Sequence, residues 1–228
     1  MKSLANILSN FAYKIVQGTD TVPVNNIVFN SKEVQLGDLF VAIVGSSTDG
    51  HKFIGQAFEA GAETLVCEKI PEIIPSGKTV VQVENAQLAL AAMAANYFGH
   101  PSETMKVVGV TGTNGKTTTA TMLYDVFTQL GYPCGLFSTV KILINDSEAP
   151  ATHTTPDPIT IQSYMAQMRD AGCEYCFMEV SSHGIDQYRT EYIHFDVGVF
   201  TNITQDHLDY HETFANYLNA KKRFFDRL

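Results

Sequence analysis

The stretch from Val107 to Thr119, VVGVTGTNGKTTT, constrains the fold of this chain more than any other segment. It places an apolar run, a glycine-containing turn, and then Lys116 and Thr117 at the start of a helical pattern. Gly112 and Gly115 would let the backbone curl so that its N–H groups converge where the helix N-terminus adds positive potential. The pattern predicts a strand, a loop and a helix that together bind the phosphates of a nucleoside triphosphate.

In such a loop Lys116 reaches the terminal phosphates and Thr117 holds Mg²⁺. The spacing departs from GxxxxGK[ST], because Val110 stands where the first glycine belongs. A tight strand-to-helix turn with a chance Lys-Thr pair is the structural alternative. The strand, the glycines, the lysine and the amphipathic helix agree with one another, so the phosphate loop is the favoured interpretation.

The composition indicates a globular protein. The 228 residues are 45% hydrophobic and 17% charged, and no apolar run approaches the roughly 18 residues that a membrane helix needs. A net charge of -9 and a pI near 5.1 argue against a nucleic-acid surface. The first residues, MKSLANILSNFAYKIV, lack the small-residue cleavage site of a secretory signal. We therefore expect a cytoplasmic protein without membrane or nucleic-acid partners.

The pattern of apolar runs predicts two domains of α/β class. In the first hundred residues NIVF, DLFVAIVG and TLVC are typical of strands, and KFIGQAFEAG and AQLALAAMAANYFGHP are typical of helices that stop at Gly61 and Gly99. The segment PSETMK is the expected boundary. We assign residues 1–101 to a small N-terminal substrate-binding domain and residues 102–228 to a second domain.

The second domain is predicted to be a mostly parallel sheet of the P-loop type with helices on both faces. Helices from Lys116 to Leu130, near Ile159 to Ala171 and from about Thr213 alternate with the strands YCFMEV and DVGVF. The first of these helices carries an apolar stripe of Ala120, Leu123, Phe127 and Leu130. Ligands of such a sheet gather beyond the carboxyl ends of its strands.

The four cysteines are too few and too scattered for a disulfide framework. Cys173 and Cys176 form a CxxC, but no second Cys/His pair at zinc spacing accompanies it. Since Cys176 lies in the strand YCFMEV, buried thiols are a better interpretation than metal or redox chemistry.

Polar clusters follow the strands of the second domain. Glu179 ends YCFMEV and precedes SSH, and Thr201 follows DVGVF on the way to Asp206 and His207. A carboxylate and an imidazole at these strand ends could ligate a divalent cation beside the phosphates. Each residue alone would be a capping or hydrogen-bonded loop group; their shared place behind a phosphate loop favours function.

Lys221 occupies an unusual position, because it falls on an apolar stripe. Phe214, Tyr217, Lys221 and Phe224 lie at i, i+3, i+7 and i+10 of the last helix. A buried ammonium favours the neutral amine, which could react with CO₂ to give a carbamate that acts as a metal ligand. From spacing alone a lysine that extends its head to water is the preferred interpretation.

Two further segments offer polar groups at the predicted ligand end. HTTPDP, His153 to Pro158, cannot be regular structure, because two prolines flank an Asp in a hydroxyl-rich run. SSHGIDQYR adds Gln187 and Arg189, and an arginine there suits a carboxylate or a phosphate. Each segment by itself could be a surface loop.

Together these segments resemble the Mur ligases, most closely the MurE branch, which adds the third amino acid of the peptidoglycan stem peptide. The resemblance covers essentially the whole chain. It depends on NSKEVQLGDLFVAIVG, TGTNGKTT, HTTPDP, MEVSSHGIDQYR, FTNITQDHLDYH and NYLNAKKRFF. TGTNGKT is shared with folylpolyglutamate synthases, whereas the TTPD, SSHGIDQYR and NSKEV segments are specific to the MurE branch. Asn30 and Lys32 depart from the DSR of many relatives.

The resemblance implies a role for each matched position. The ATP phosphates would be bound by Gly112, Thr113, Asn114, Gly115, Lys116, Thr117 and Thr118. Mg²⁺ would be held by Thr117, Glu179, His207 and a carbamylated Lys221, and the catalytic set would be Lys116, Glu179, His207 and Lys221. The uridine end of the substrate would contact Phe29, Ser31, Ser46, Ser47 and Thr48, and its muramyl-dipeptide end would contact His153, Thr154, Thr155, Ser181, Gln187 and Arg189.

The implied reaction is ATP-dependent. The terminal D-glutamate carboxylate of UDP-N-acetylmuramoyl-L-alanyl-D-glutamate attacks the γ-phosphate of ATP, and a free amino acid then displaces phosphate from the acyl phosphate. We expect a monomer, and the residues do not select diaminopimelate over lysine as the incoming amino acid. Since family members carry a third domain, we expect this chain to be a fragment with weak turnover or none.

Two other functions are consistent with part of the pattern. A folylpolyglutamate-type ligase shares the phosphate loop, but such proteins ordinarily begin close to that loop, and a hundred residues precede it here. A non-catalytic uridine-nucleotide binding module is the alternative from another class. Retention of Lys116, Glu179, His207 and Lys221 argues against a module that has lost catalysis.

Overall fold

The structure is a computed structural model that describes residues 2–45 and 48–228. The chain forms two compact units, Met1–Tyr97 and Phe98–Leu228. Among the described residues, no helix combines the length and the apolar character needed to cross a bilayer.

The first unit is built on a sheet of five strands in the order β2-β7-β6-β5-β4, in which β4 to β7 are parallel and β2 is antiparallel. A small antiparallel pair, β1 and β3, lies outside it. The strands are β1 (Lys2–Ser3), β2 (Lys14–Gln17), β3 (Pro23–Val24), β4 (Ile27–Val28), β5 (Leu39–Ala42), β6 (Thr64–Cys67) and β7 (Thr79–Gln82). The helices are α1 (Leu4–Ile7), α2 (Ile54–Ala60) and α3 (Ala86–Phe98), and Gly50–Phe53 forms a 3₁₀ turn.

The core of the first unit forms where α2 packs on the sheet. Ile54 and Ala57 of α2 contact Phe40, Leu65 and Val80 of the strands. Burial of these side chains contributes about 1.5 to 3 kcal/mol for each large one, which explains why a short helix ending at Gly61 is stable here.

The second unit is built on a sheet of six strands in the order β11-β10-β9-β12-β8-β13. Its four strands β9, β12, β8 and β13 are parallel, and β10 and β11 continue the sheet as an antiparallel hairpin. The strands are β8 (Lys106–Thr111), β9 (Cys134–Phe137), β10 (Lys141–Ile144), β11 (Ser147–Pro150), β12 (Tyr175–Glu179) and β13 (Val197–Phe200). The helices are α4 (Lys116–Gln129), α5 (Pro158–Asp170), α6 (Ser182–Asp186), α7 (Leu208–His211) and α8 (Phe214–Phe225), and Pro101–Thr104 is a 3₁₀ turn.

The central strand β12 shows why helices cover both faces of this sheet. Side chains alternate along a strand, so Cys176 and Met178 join the core beside Met165 of α5. Phe177 points the other way and joins the core beside Ala120 of α4. A strand buried on both faces is the signature of a parallel α/β sheet, and the predicted fold class is confirmed.

Two sequence-based expectations about local structure are wrong. Leu130 is not part of the buried stripe of α4; it caps the helix end and is 68% exposed, and Tyr124 is buried instead. Phe214 begins α8 and is 42% exposed, so the buried stripe of that helix starts at Tyr217. The hairpin β10–β11 was not anticipated, because its strands are short and half exposed.

All four cysteines are buried and unpaired. Burial raises the pKa of the Cys67 thiol to about 11 and that of the Cys176 thiol further still. Thiols with raised pKa values are poor nucleophiles and poor metal ligands, which agrees with a structural role.

Candidate active site

The predicted phosphate loop connects β8 to α4. Gly112 has φ +146°, and a Cβ at this position would collide with Thr201 Oγ1 and lie 2.9 Å from Asn202 O. Gly115 has φ +86° and occupies the N-cap of α4, where no side chain caps the helix. The first N–H groups of α4 therefore lack a side-chain acceptor, and an anion fits this helix end.

Thr113 anchors the loop rather than lining it. Its N–H donates to Asn202 O at 2.9 Å, and its hydroxyl lies 2.9 Å from the Tyr217 hydroxyl and accepts a hydrogen bond from Thr204 N at 3.0 Å. Asn114 donates its N–H to the Asn202 side chain at 3.1 Å. Although sequence reasoning assigned both residues to nucleotide contact, these donors are occupied within the protein. Thr118, in contrast, is exposed on the first turn of α4.

Two lysine ammonium groups meet at one carbonyl oxygen of this loop. Lys116 Nζ donates to Gly112 O at 2.9 Å and to Thr113 O at 2.8 Å. Lys221 Nζ, on α8, donates to Gly112 O at 2.8 Å. Burial lowers the pKa of Lys116. Burial and the nearby charge of Lys116 lower the pKa of Lys221 to about 7.

The helix α8 explains how Lys221 reaches the loop. Thr213 caps the helix by accepting a hydrogen bond from Asn216 N, and Tyr217, Lys221 and Phe224 lie on its buried face. The Lys221 side chain is 2% exposed, and its Nζ lies 4.8 Å from the centre of the Tyr217 ring. The interpretation preferred from spacing alone, a lysine that extends its head to water, is therefore wrong, and Lys221 is directed into the site.

Glu179 is the third charged group beside this loop. It is the last residue of β12, is 0% exposed, and its Oε2 accepts a hydrogen bond from Thr117 Oγ1 at 2.9 Å. Thr139 donates its N–H to Glu179 Oε1 at 2.7 Å, and its hydroxyl lies 3.2 Å from Oε2. A hydroxyl and a carboxylate side by side are hard oxygen ligands, so the pair fits Mg²⁺.

Thr139 is a site residue that sequence reasoning missed. It follows the apolar run Cys134–Phe137 in the same way that Glu179 ends β12 and Thr201 follows β13. A short strand that contains a glycine is a weak signal, and this strand was not recognised. A hydroxyl directly after it would have been the clue.

The predicted hydroxyl-rich loop is joined to the backbone of Glu179 and to the Thr139 hydroxyl. Thr155 Oγ1 donates to Glu179 O at 3.0 Å and accepts a hydrogen bond from Ser181 N at 2.9 Å. The Thr139 hydroxyl lies 3.0 Å from Thr154 Oγ1. His153 is exposed, and its Nδ1 lies 3.2 Å from the Oγ1 of the adjacent Thr152.

The predicted substrate residues Gln187 and Arg189 lie just after α6 and contact each other. Gln187 Oε1 accepts hydrogen bonds from Arg189 Nε at 3.0 Å and from Nη2 at 2.6 Å. Arg189 Nη1 donates to Thr155 O at 2.7 Å, which connects the arginine to the hydroxyl-rich loop. Burial lowers the pKa of Arg189, although an arginine stays charged.

Among the described residues, no hydrogen bond or ion pair joins His207 to Glu179. It begins α7 with φ +52°, its ring meets that of His183 edge-on at 4.9 Å, and its side chain is 43% exposed. Within residues 2–45 and 48–228, no three His, Cys, Asp or Glu side chains form a metal-binding group. The structure thus joins Thr117 to Glu179 and Lys221 to the loop, and leaves His207 outside both contacts.

The predicted uridine contacts belong to the first unit. Ser31 is 8% exposed and donates to Gln56 Oε1 at 3.2 Å, and Phe29 is half-buried. Thr48 is exposed, and its backbone oxygen accepts a hydrogen bond from Gly45 N at 2.9 Å. Ser46 and Ser47 lie outside the described residues.

Both units match models of one protein family. Residues 110–228 match the Mur ligase middle domain, and residues 23–98 match the Mur ligase family, catalytic domain.

Individual relatives match over nearly the whole chain. The UDP-N-acetylmuramoyl-L-alanyl-D-glutamate--2,6-diaminopimelate ligase of Parabacteroides distasonis is 47% identical over 99% of this chain and 46% of its own length. The ligase of the same name from Cytophaga hutchinsonii is 48% identical over 97% of this chain and 46% of its own length. The chain spans about half the length of the curated relatives it matches.

Solved structures agree on the fold. A structure of a UDP-N-acetylmuramoyl-L-alanyl-D-glutamate--2,6-diaminopimelate ligase superposes with a TM-score of 0.81 at 23% identity, covering 99% of this chain and 45% of that one. The MurF ligase from Thermotoga maritima in complex with ADP has a TM-score of 0.58 at 27% identity, covering 87% of this chain and 42% of that one.

Proposed function

The chain belongs to the Mur ligase family, and from that premise we propose that it carries the ATP-binding and muramyl-nucleotide-binding part of an amide-bond ligase. The ligase adds the third amino acid to UDP-N-acetylmuramoyl-L-alanyl-D-glutamate in peptidoglycan precursor synthesis. One observation carries the proposal: Lys116 and Lys221 both donate to Gly112 O beside the uncapped N-terminus of α4. The Lys116 ammonium and the free helix end supply positive charge for the phosphates, and Lys221 brings a second amine to the same loop.

The proposed reaction activates a carboxylate that is otherwise a poor electrophile. The D-glutamate carboxylate oxygen bonds to the γ-phosphorus of ATP, the bond to the bridging oxygen breaks, and ADP leaves. The incoming amine then attacks the acyl carbon, phosphate leaves, and the amine loses a proton. Lys116 and the first N–H groups of α4 stabilise the charge on the phosphate oxygens.

Mg²⁺ is proposed as the second cofactor. Thr117 and Glu179 supply its oxygen ligands, and His207 is proposed as a further ligand; the cation neutralises phosphate charge when bound. Lys221 has a pKa of about 7, so a large share of its amine is neutral at physiological pH. Its nitrogen can add to CO₂ and lose a proton, giving a carbamate whose oxygens suit the same cation.

The muramyl-dipeptide end is proposed to lie along Thr154, Thr155, Ser181 and Arg189, which the hydrogen bonds join to Glu179. The uridine end is assigned to the first unit. The names of the curated relatives favour 2,6-diaminopimelate as the incoming amino acid. ATP and a nucleotide-linked precursor are cytoplasmic metabolites, so we propose that the reaction takes place there.

Calorimetric titration of the 228-residue chain tests the proposal. The protein is expected to bind Mg²⁺·ATP and UDP-N-acetylmuramoyl-L-alanyl-D-glutamate at separate sites. Lys116→Ala is expected to weaken ATP binding about a hundredfold, because it removes the cation from the terminal phosphates, and to leave the affinity for the UDP substrate unchanged. Lys222→Ala is the matched control, since Lys222 is exposed and pairs with Asp226.

The outcomes separate the alternatives. Binding of a folate substrate without binding of the UDP substrate would indicate a folylpolyglutamate-type ligase. Binding of the UDP substrate with no ATP binding in the wild type would indicate a non-catalytic module. Phosphate release on addition of diaminopimelate, lost in Lys116→Ala, would extend the proposal to turnover.

A further inference from the structure

A line of five polar side chains runs from helix α8 to the substrate-binding arginine. Arg223 Nη2 donates to Asp186 Oδ1 at 2.6 Å. Tyr210 donates its hydroxyl to Asp186 Oδ2 at 3.0 Å, and Gln187 Nε2 donates to the Tyr210 oxygen at 3.2 Å. Gln187 Oε1 then accepts two hydrogen bonds from Arg189. Every member of the line is hydrogen-bonded to the next.

The donor and acceptor capacity of each group allows only one direction of hydrogen bonding along these five side chains. A carboxylate paired with an arginine is ionised and only accepts, so the single proton of the Tyr210 hydroxyl points at Asp186. The phenol oxygen is left as an acceptor. The phenol oxygen accepts a hydrogen bond from the NH₂ group of Gln187, and the carbonyl oxygen of the same amide must then face Arg189.

The two ends of an amide differ greatly in their effect on an arginine. A carbonyl oxygen accepts from the guanidinium, whereas a flipped amide would set an NH₂ donor against N–H donors and leave them unsatisfied. Three of the five N–H groups of Arg189 bond to Gln187 and to Thr155 O. Two N–H groups remain without an acceptor among the described residues, which is the number that a bidentate carboxylate takes.

We propose that Tyr210 is a positioning residue that, held by Asp186, sets the orientation of the Gln187 amide and thereby presents Arg189 to a carboxylate of the substrate. Gln187 on this view orients the arginine through its oxygen, which accepts two hydrogen bonds from Arg189. The inference rests on the proposed function for the identity of the carboxylate, and on the hydrogen bonds alone for the orientation.

The first test is Tyr210→Phe, which removes the acceptor and keeps the ring. The affinity for UDP-N-acetylmuramoyl-L-alanyl-D-glutamate, measured by calorimetry, is expected to fall about tenfold, the usual worth of an aligned hydrogen bond to a charged group. Mg²⁺·ATP affinity and melting temperature are expected to stay unchanged. Tyr188→Phe is the control, since the Tyr188 hydroxyl makes no hydrogen bond within the described part of the chain.

A double-mutant cycle separates positioning from a general structural role. If Tyr210 acts through the amide, Tyr210→Phe has no further effect on substrate affinity in a Gln187→Leu background. Losses that multiply in the double variant would overturn the inference, as would wild-type affinity in Tyr210→Phe.

A third measurement needs no substrate. The Nε–H signal of Arg189 in ¹⁵N NMR is expected to be protected from exchange in the free protein and to lose that protection in Tyr210→Phe but not in Tyr188→Phe. An unchanged signal would overturn the inference, even if the wild type binds the UDP substrate. Failure of the wild type to bind that substrate would instead overturn the proposed function, while the NMR comparison would still decide the orientation of the amide.

Discussion

The N-terminus of α3 in the first unit and the N-terminus of α4 in the second unit both follow a strand of a parallel sheet, but only one of them is closed by the protein. Asn85 caps α3 by accepting a hydrogen bond from Leu88 N at 2.8 Å, and Glu68 accepts one from Ala86 N at 2.8 Å. At α4 the cap is Gly115, which has no side chain. The same helix end is structural in one unit and free to bind an anion in the other.

The strands that end beside these two helices also differ, because only one of them ends in a charged residue. The central strand β6 ends in Cys67 and β12 ends in Glu179, and both residues are 0% exposed. The Cys67 thiol donates a weak hydrogen bond to Val81 O at 3.9 Å, whereas Glu179 accepts hydrogen bonds from Thr117 and Thr139. Shared architecture therefore says little about chemistry; the groups left unsatisfied at the strand ends decide it.

Gly112→Ala should produce the largest effect on this contrast. A methyl group at φ +146° is strained and collides with Thr201, so we expect a loss of roughly 2 to 4 kcal/mol in the free energy of unfolding and no measurable ATP binding. Chemical denaturation and calorimetry check the two effects. Gly131→Ala is the matched control, because Gly131 has φ +91° and open space around it. If Gly131→Ala abolished ATP binding equally, the collision at Gly112 would not be the cause.

Glu179→Gln against Glu68→Gln compares the two carboxylates directly. The first replaces a cation ligand by an amide, and the gain in ATP affinity on adding Mg²⁺ is expected to fall about a hundredfold. The second weakens a cap of α3, with an expected cost of about 1 kcal/mol in unfolding and no change in ATP affinity. Titrations with and without Mg²⁺ measure the difference. Similar losses of ATP affinity in Glu179→Gln and Glu68→Gln would show that the two carboxylates do not differ in their role in ATP binding.

Titration of the Cys67 thiol, at the end of β6, should have a smaller effect on the free energy of unfolding, and this effect should appear in alkaline solution. Burial raises the Cys67 pKa from an ordinary value of 9.0 to about 11. The native thiol holds its proton more tightly than the unfolded one, so this contribution to stability is complete below pH 9 and is lost as pH rises toward 11. At pH 10 the loss is about 1.4 kcal/mol.

Urea unfolding of the wild type and of Cys67→Ala at pH 7 and pH 10 measures this loss. The other titrating groups are common to both proteins, so they cancel in the comparison. The gap between the two unfolding free energies is expected to narrow at pH 10. A gap that stayed constant would show that the thiol titrates normally and that the end of β6 is wetter than its burial indicates.

The contrast between the two helix ends was visible in the sequence only in part. TGTNGKTT predicts a strand, a loop and a helix N-terminus that binds phosphates, whereas the spacing of α8 alone favoured a Lys221 that extends to water, and only the family resemblance implied that it faces inward. The capping of α3 by Glu68 joins residues 18 positions apart, and the clamp on Glu179 by Thr139 joins residues 40 positions apart. Neither hydrogen bond is announced by a periodic pattern in the local sequence, since both depend on which strands become neighbours in the sheet.

Substitution of Thr139 therefore tests, with the smallest expected effect, how the strand ends of the second unit form a site. Thr139→Val keeps the backbone N–H that binds Glu179 Oε1 and removes the hydroxyl that lies near Oε2 and Thr154. With one of its donors gone, the carboxylate is oriented less firmly toward the cation. We expect the Mg²⁺ concentration needed for half-maximal ATP binding to rise about fivefold, with ATP affinity in the absence of Mg²⁺ unchanged.

Thr139→Ser is the matched variant, because it restores the hydroxyl without the methyl group. Recovery of the wild-type Mg²⁺ requirement in Thr139→Ser would assign the effect to the hydrogen bond rather than to packing of the loop. An equal shift in Val and Ser variants would assign it to packing instead. In that case Glu179 would be oriented by the Thr117 hydroxyl and the Thr139 N–H, whereas the capped helix end of the first unit depends on acceptors from the side chains of Asn85 and Glu68.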